Sequence, residues 1–505
     1  MRGLCRPPRP GAAAGPGGGG PVPGRVTRDE RTIALTTGSA DLGRMNPGER
    51  GADTAGGPLP RASVPDALRI AAGVALPWIA EGVTARRRAV VRLSAALGLQ
   101  DRSGELLRRM RERYGDGPLL VRLPGLRLAY VLSPHDVRRV FTEPAHLLTP
   151  AAPMKREALG HFEPTAVLVS SADRRAARRR VNDLVLDSDR PEHREAGAFL
   201  TGVAQEVAAL SARLDRTGRL TWEEFSPCCW RIARRVVLGS GAVEDHELTE
   251  LLAALRRSGN WMAAGRRRRR THRAFTARLR EHLDRAEPGS LAAIARSAHA
   301  PAEADPDGQV PHWLFGFDAA ARAAIRALAL LGSHRAELDL MRAELAEHGP
   351  RDVLALTRLR ATVLESVRLW PIIPSVVRRV GDDLDWRGGK LPAGTNVVVS
   401  SPYFHRDERV LAQPDRFHPE VWLDGRGEEQ WALLPFSRGG SRCPGENLVL
   451  LTTTAILADL LRRHDFRLTH PRLLGPVAPL PGSLDHFRLR FDVRPVDPRR
   501  EPRPS

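Results

Sequence analysis

Apolar positions change their spacing several times along the chain. Two short apolar runs, Leu119–Leu123 and 128–132, flank Pro124-Gly125 and predict a pair of strands joined by a turn. Ser133-Pro134 then opens a helix, where Ser can cap the first amides and Pro fits the first turn. From about 170 to 300 the pattern is helical and rich in Ala, Leu and Arg. Residues 312–334 predict one long helix, apolar on most faces, spanning roughly 34 Å at 1.5 Å per residue. A helix with so little polar surface should run through the interior. Near the end, Phe487, Leu489, Phe491 and Val493 alternate as in a strand with one buried face. The expected fold is mainly α with small β-sheets, as a single large domain over 64–495. Residues 1–60 are dense in Gly and Pro and cannot bury enough apolar surface to offset the entropy of ordering them. They read as a disordered leader, with Met45 as an alternative start, and 496–505 read as an Arg/Pro-rich tail.

Charge adds less than its size suggests. The chain of 505 residues carries 78 basic and 59 acidic side chains, a net +19, and its only lysines are Lys155 and Lys390. Such a balance suits nucleic acid, anionic lipid or an acidic protein. Arg with abundant Ala, Gly and Pro is also the coding bias of a GC-rich genome. Aromatics make up only 5%, and no zinc-finger spacing or other reader is present, so no nucleic-acid partner is expected. Four cysteines cannot build a disulfide framework, which points to a reducing compartment. No run approaches the roughly 20 apolar residues of a membrane span, and the start lacks a signal-peptide core. The expectation is a soluble, cytoplasmic protein with no membrane partner.

The densest chemistry lies in Phe436-Ser437-Arg438-Gly439-Gly440-Ser441-Arg442-Cys443-Pro444-Gly445, just before an apolar helical run. A cysteine in a Gly-rich loop at the mouth of a helix meets free amides and a dipole that favour its thiolate. Gly439 and Gly440 let backbone fold close to the sulfur. Such a thiolate serves as a nucleophile or as an axial iron ligand; a lone Cys is more often an inert buried thiol. Other features read as structural: Arg266 to Arg270 as a solvated helix end, Cys228 and Cys229 as packing residues, His405 as a turn or core residue.

The spacing Phe436-x-x-Gly439-x-x-x-Cys443-x-Gly445 resembles the haem-binding loop of the cytochrome P450 family. Two further patterns of that family occur in order: Glu365 and Arg368 match its Glu-x-x-Arg helix, and Arg416 in Pro414-Asp415-Arg416-Phe417 matches the Arg that completes a Glu–Arg–Arg cluster. The resemblance implies haem b, with Cys443 as axial thiolate and metal ligand, and a structural role for the trio. Haem propionates need cations. The family usually places a His or Arg two residues before the Cys, where this chain has Ser441. By motif alignment Arg174 and Arg178 fit the family's propionate-binding helix. Either Arg378 or Arg379 is the third candidate, since alternation on a strand turns only one of them inward.

Phe315-Gly316-Phe317-Asp318-Ala319-Ala320 aligns with the family's oxygen-activating segment, which usually reads small–Gly–x–acid–Thr. Gly316 would leave room, Asp318 supplies the acid, and Ala319 replaces the hydroxyl that normally orients dioxygen. Asp318 is also spaced to pair with Arg322 at i+4. The implied activity is a monooxygenase that inserts one atom of O2 into a small, apolar organic substrate. Phe315, Phe317, 374–377 and 481–484 are expected to line its pocket. Electrons would come from NAD(P)H through a separate ferredoxin reductase and an acidic ferredoxin docked on Arg174 to Arg180, with the protein a monomer. Ala319 motivates the rival reading of a peroxide-dependent or non-oxygenating haem-thiolate enzyme; a non-enzymatic haem or nucleic-acid binder is a weaker one.

Overall fold

The computed structural model describes residues 58–496, with 388 and 473 excepted. Of the leader and tail expected from composition, 1–57 and 497–505 lie outside the described residues, whereas Leu59 is buried and the Pro60 carbonyl accepts from the Leu120 amide. The architecture is mainly helical with three small sheets. Strands β1 (Leu119–Leu123), β2 (Leu126–Tyr130), β3 (Leu148–Thr149), β5 (Ser375–Val380) and β8 (Asn396–Ser400) form a five-stranded sheet in the order β1-β2-β8-β5-β3. Strands β4 (Arg219–Thr221), β9 (His464–His470) and β10 (Arg490–Pro495) form a second sheet, and β6 (Leu384–Trp386) with β7 (Gly389–Leu391) a hairpin. The β1–β2 turn is tight because Gly125 adopts a φ of +69°.

Eight helices matter for the site: α1 (Pro153–Leu159), α2 (Ala172–Val185), α3 (Ala196–Thr217), α4 (Trp222–Leu238), α5 (His246–Gly259), α6 (Val310–Ser333), α7 (Thr357–Leu369) and α8 (Glu446–Arg463). Helix α6 is the long interior helix, about 36 Å in length. It packs against α4, α7 and α8, and its buried Ala321, Ala324 and Ala327 let those neighbours approach closely. One apolar core surrounds α6; a second lies against the five-stranded sheet.

Local details differ from the sequence reading. The second strand ends two residues early, at Tyr130. Ser133 precedes the helix Pro134–Thr142, but its side chain makes no capping hydrogen bond. The final strand begins at Arg490, because His486–Arg488 close a 3-10 turn around the Asp485 side chain. Among the described residues no helix is long and apolar enough to cross a membrane.

Candidate haem-thiolate site

Cys443 sits immediately before α8. Its amide donates to the Phe436 carbonyl at 2.8 Å, which ties both ends of the loop together. Gly439 closes the turn at a φ of +56°, and a Cβ there would stand 2.2 Å from the Phe141 carbonyl oxygen. No residue with a side chain fits that position without displacing backbone. Gly445 provides the amide that faces the thiol. Burial pushes the Cys443 thiol up to about 11, and that amide acts in the opposite direction.

Helix α7 carries Glu365 and Arg368, both fully buried. They form a bidentate pair at 2.7 and 2.6 Å. Arg368 also donates to the carbonyls of His405 (2.9 Å), Pro414 (2.6 Å) and Arg416 (2.7 Å). Glu365 in turn accepts from the His418 amide at 2.8 Å and from Trp422 Nε1 at 2.9 Å. The Arg416 guanidinium does not join the cluster. It reaches outward to the Pro476 carbonyl, and only its backbone oxygen takes part. His405 belongs to the same buried block: its ring spans the Arg368 carbonyl and the Leu434 amide, and burial drives its pKa down to about 3.

The cation assignment changes. Arg174 is exposed and lies 3.8 Å from Asp173. Arg178 is buried, but its guanidinium is engaged by the Ser170 hydroxyl at 2.8 Å and the Glu303 carbonyl at 3.2 Å. The residue next to Arg174 along the helix, Arg175, turns inward: it donates to the Val167 carbonyl and reaches within 3.5 Å of the Ser441 hydroxyl. Arg378 is buried over the Phe141 ring, while Arg379 lies beside Gly394 on the other face of β5. Lys155 on α1 completes the group, donating to the carbonyls of Pro150 and Val377 at 3.1 Å each. Lys155 feels the charges of Arg378 and Arg175, Arg378 feels that of Arg175, and none of the three has a carboxylate in ion-pair range among the described residues. Burial and neighbouring positive charge lower all three, with Arg179 the neighbour that acts on Arg175; Lys155 falls well below its ordinary value and Arg378 to about 9. Buried Arg378 with half-buried Lys155 and Arg175 beside it makes a place suited to anions.

On α6, His312, Phe315, Gly316 and Ala319 recur at helical spacing and remain partly accessible on an otherwise buried helix. A Cβ on Gly316 would meet nothing within 4 Å. Phe317 instead faces the helical core and does not line this space. Asp318 accepts from Arg256 of α5 at 2.7 Å and lies 3.7 Å from Arg322. Burial pushes its carboxyl upward, but Arg256, Arg322 and Arg86 together hold it below the usual carboxylate range. The Arg322 pair expected from spacing is present, with a closer partner from another helix. The sequence reading missed the neighbouring contact: His312 Nδ1 lies 2.8 Å from Glu163, a carboxylate that is fully buried. Burial lowers the His312 pKa, and the Glu163 charge and hydrogen bond more than reverse this, leaving it raised.

Residues 333–477 match the family model for cytochrome P450. Among curated proteins, the chain is 29% identical over 153 residues to cytochrome P450 4c3 of Drosophila melanogaster, covering 29% of this chain and 28% of that one. It is 33% identical over 146 residues to cyclooctat-9-en-7-ol 5-monooxygenase of Streptomyces melanosporofaciens, covering 27% and 32%. The chain thus spans about three-tenths of the length of these relatives. The solved structure of retinoic acid bound cyanobacterial CYP120A1 superposes with a TM-score of 0.65 at 18% identity, over 77% of this chain and 94% of that one. The fold is that of a cytochrome P450, and the segment carrying Glu365, Arg368 and Cys443 lies within the residues that match the cytochrome P450 family model.

Proposed function

We propose that the chain is a haem-thiolate monooxygenase that inserts one atom of O2 into a small organic substrate. The observation that carries this reading is the Cys443 loop beside buried Arg378 and half-buried Lys155 and Arg175, none with a carboxylate partner among the described residues. The residues fit haem b: Cys443 would ligate the iron, and Lys155, Arg175 and Arg378 would neutralise the two propionates. Bound there, haem supplies the redox centre at which O2 is activated; the protein supplies the rest. The Glu365–Arg368 block holds the segments around Pro414, Arg416 and His418 in register. Asp318, ionised and held by two arginines, is the proton carrier on α6; it must release Arg256 or Arg322 to move a proton. At Ala319 no hydroxyl is available, so a water or a substrate hydroxyl has to fill that role.

Electrons in this reading start at NAD(P)H and arrive through separate proteins, a ferredoxin and its reductase. The exposed Arg174 and Arg180 on α2 support docking of an acidic partner. Rising salt should then slow reduction steeply. The test is reconstitution with ferredoxin, reductase and NADPH under 18O2, with a panel of small organic substrates. One labelled oxygen per product supports the monooxygenase. Turnover that needs peroxide and carries no label from O2 supports the second reading, which Ala319 favours.

A further inference from the structure

A narrow cavity of about 40 Å³ lies where Glu81, Arg86, Arg326, Trp370, Ser483 and His486 meet. Four buried polar atoms that have no hydrogen-bond partner belong to its lining residues: Arg326 Nε, Ser483 Oγ, and both ring nitrogens of His486. Buried polar groups are nearly always paired, so four at one cavity call for a partner. The known bonds are accounted for elsewhere. Arg326 donates its terminal nitrogens to the carbonyls of Trp370 (2.9 Å) and Leu484 (3.5 Å). Arg86 pairs with Glu81 at 3.0 Å and donates to the Ile372 carbonyl at 3.1 Å. Ser94 occupies the other Glu81 oxygen.

The lining thus holds two guanidinium groups against one carboxylate; Arg322 adds its charge from α6, while Asp485 acts on Arg326 in the opposite sense and Asp101 accepts from the Gly482 amide. Burial, then Arg322 and Arg86, pull Arg326 down to about 9, and burial with the surrounding arginines keeps His486 neutral, so one of its nitrogens donates and the other accepts. The same charges reach the reaction face, because Arg322 and Arg86 also act on Asp318.

We propose that this cavity receives the carboxylate of an organic-acid substrate, which accepts hydrogen bonds from Arg326 Nε, the Ser483 hydroxyl and His486. The proposal rests on the monooxygenase reading and names the substrate class for it. The volume suits a carboxylate-sized group, given that one water needs about 10–15 Å³. It is too small for a ring, so the acid enters head first with its apolar body outside. Arg326 stands seven residues beyond Ala319 on α6, a rise of about 10 Å. Oxidation would fall several bonds from the acid rather than beside it.

The experiment measures binding of decanoic acid and of methyl decanoate to the haem-loaded protein by calorimetry, at fixed ionic strength and pH 7.4. The acid should bind at least tenfold more tightly than the ester. Arg326→Gln should abolish that preference, Arg326→Lys should keep part of it, and Ser483→Ala should reduce it several-fold. Equal affinities in the natural protein, or a preference that survives Arg326→Gln, would overturn the proposal and leave ordered water as the occupant. Should Arg326→Gln not fold, an unchanged preference in Ser483→Ala has the same force. A thiolate-type carbon monoxide band recorded on the same samples separates this failure from failure of the monooxygenase reading.

Discussion

Replacing Glu365 tests whether charge or shape holds the block around Arg368. The carboxylate takes two bonds from Arg368, one from the His418 amide and one from Trp422. In Glu365→Ala the guanidinium of Arg368 keeps its three carbonyl partners but loses its only counter-charge at zero exposure. Removing one partner of a buried ion pair costs about 3–5 kcal/mol. The two orphaned N–H groups add roughly 1–3 kcal/mol each. A domain has only about 5–15 kcal/mol of net stability, so the variant should accumulate little folded, haem-loaded protein. Glu365→Gln preserves volume yet sets an uncharged amide against the guanidinium. It should therefore lose at least about 3 kcal/mol as well. Urea unfolding followed by circular dichroism, with haem content per chain, measures both variants. A Gln variant within 1 kcal/mol of the natural protein would refute the charge argument and reduce the site to a packing requirement.

Three other outcomes follow from the geometry. Arg175→Ala should weaken haem retention by about tenfold or more, while Arg174→Ala should leave it unchanged; competition against apomyoglobin reads both, and the reverse order would restore the alignment-based assignment. Ala319→Thr should raise product formed per NADPH consumed and lower peroxide release, and an unchanged ratio would show that another group already does this work. The raised pKa of His312 means that the fold favours its protonated form. Its contribution is fully present below the ordinary histidine value near 6.5 and is lost as pH rises through the folded value. The stability gap between the natural protein and His312→Gln should then shrink from pH 6 toward pH 9, and a constant gap would contradict the Glu163 pairing.

The thiolate loop and the Glu365–Arg368 pair were legible in the sequence because each depends on residue type at fixed local spacing. The helix that would cross the site was legible too, from an apolar run too long to be anything else. What escaped depends on rotation and on backbone. Arg174 and Arg175 are one helical step apart and Arg178 is three steps further on, and only the packing of α2 against the Ser441 loop decides which of them turns inward. Arg416 contributes a carbonyl, which every residue type carries, so its motif marks the right segment for a different atom. Lys155 had one usable signal: it is one of two lysines in a chain that otherwise uses arginine throughout. The apolar reading of α6 hid Arg322 and Arg326, whose long side chains extend into a polar seam from an alanine-rich face. Hydropathy averages such residues away, yet they give the interior its positive charge.

The central claim is that Cys443 ligates haem iron as a thiolate. The carbon monoxide difference spectrum of the reduced, haem-loaded protein tests it most directly, with Cys443→Ala beside it. The account predicts the strongly red-shifted Soret band of a thiolate complex in the natural protein and its loss in the variant. A Soret band without that shift, or one identical in the two proteins, would contradict the assignment.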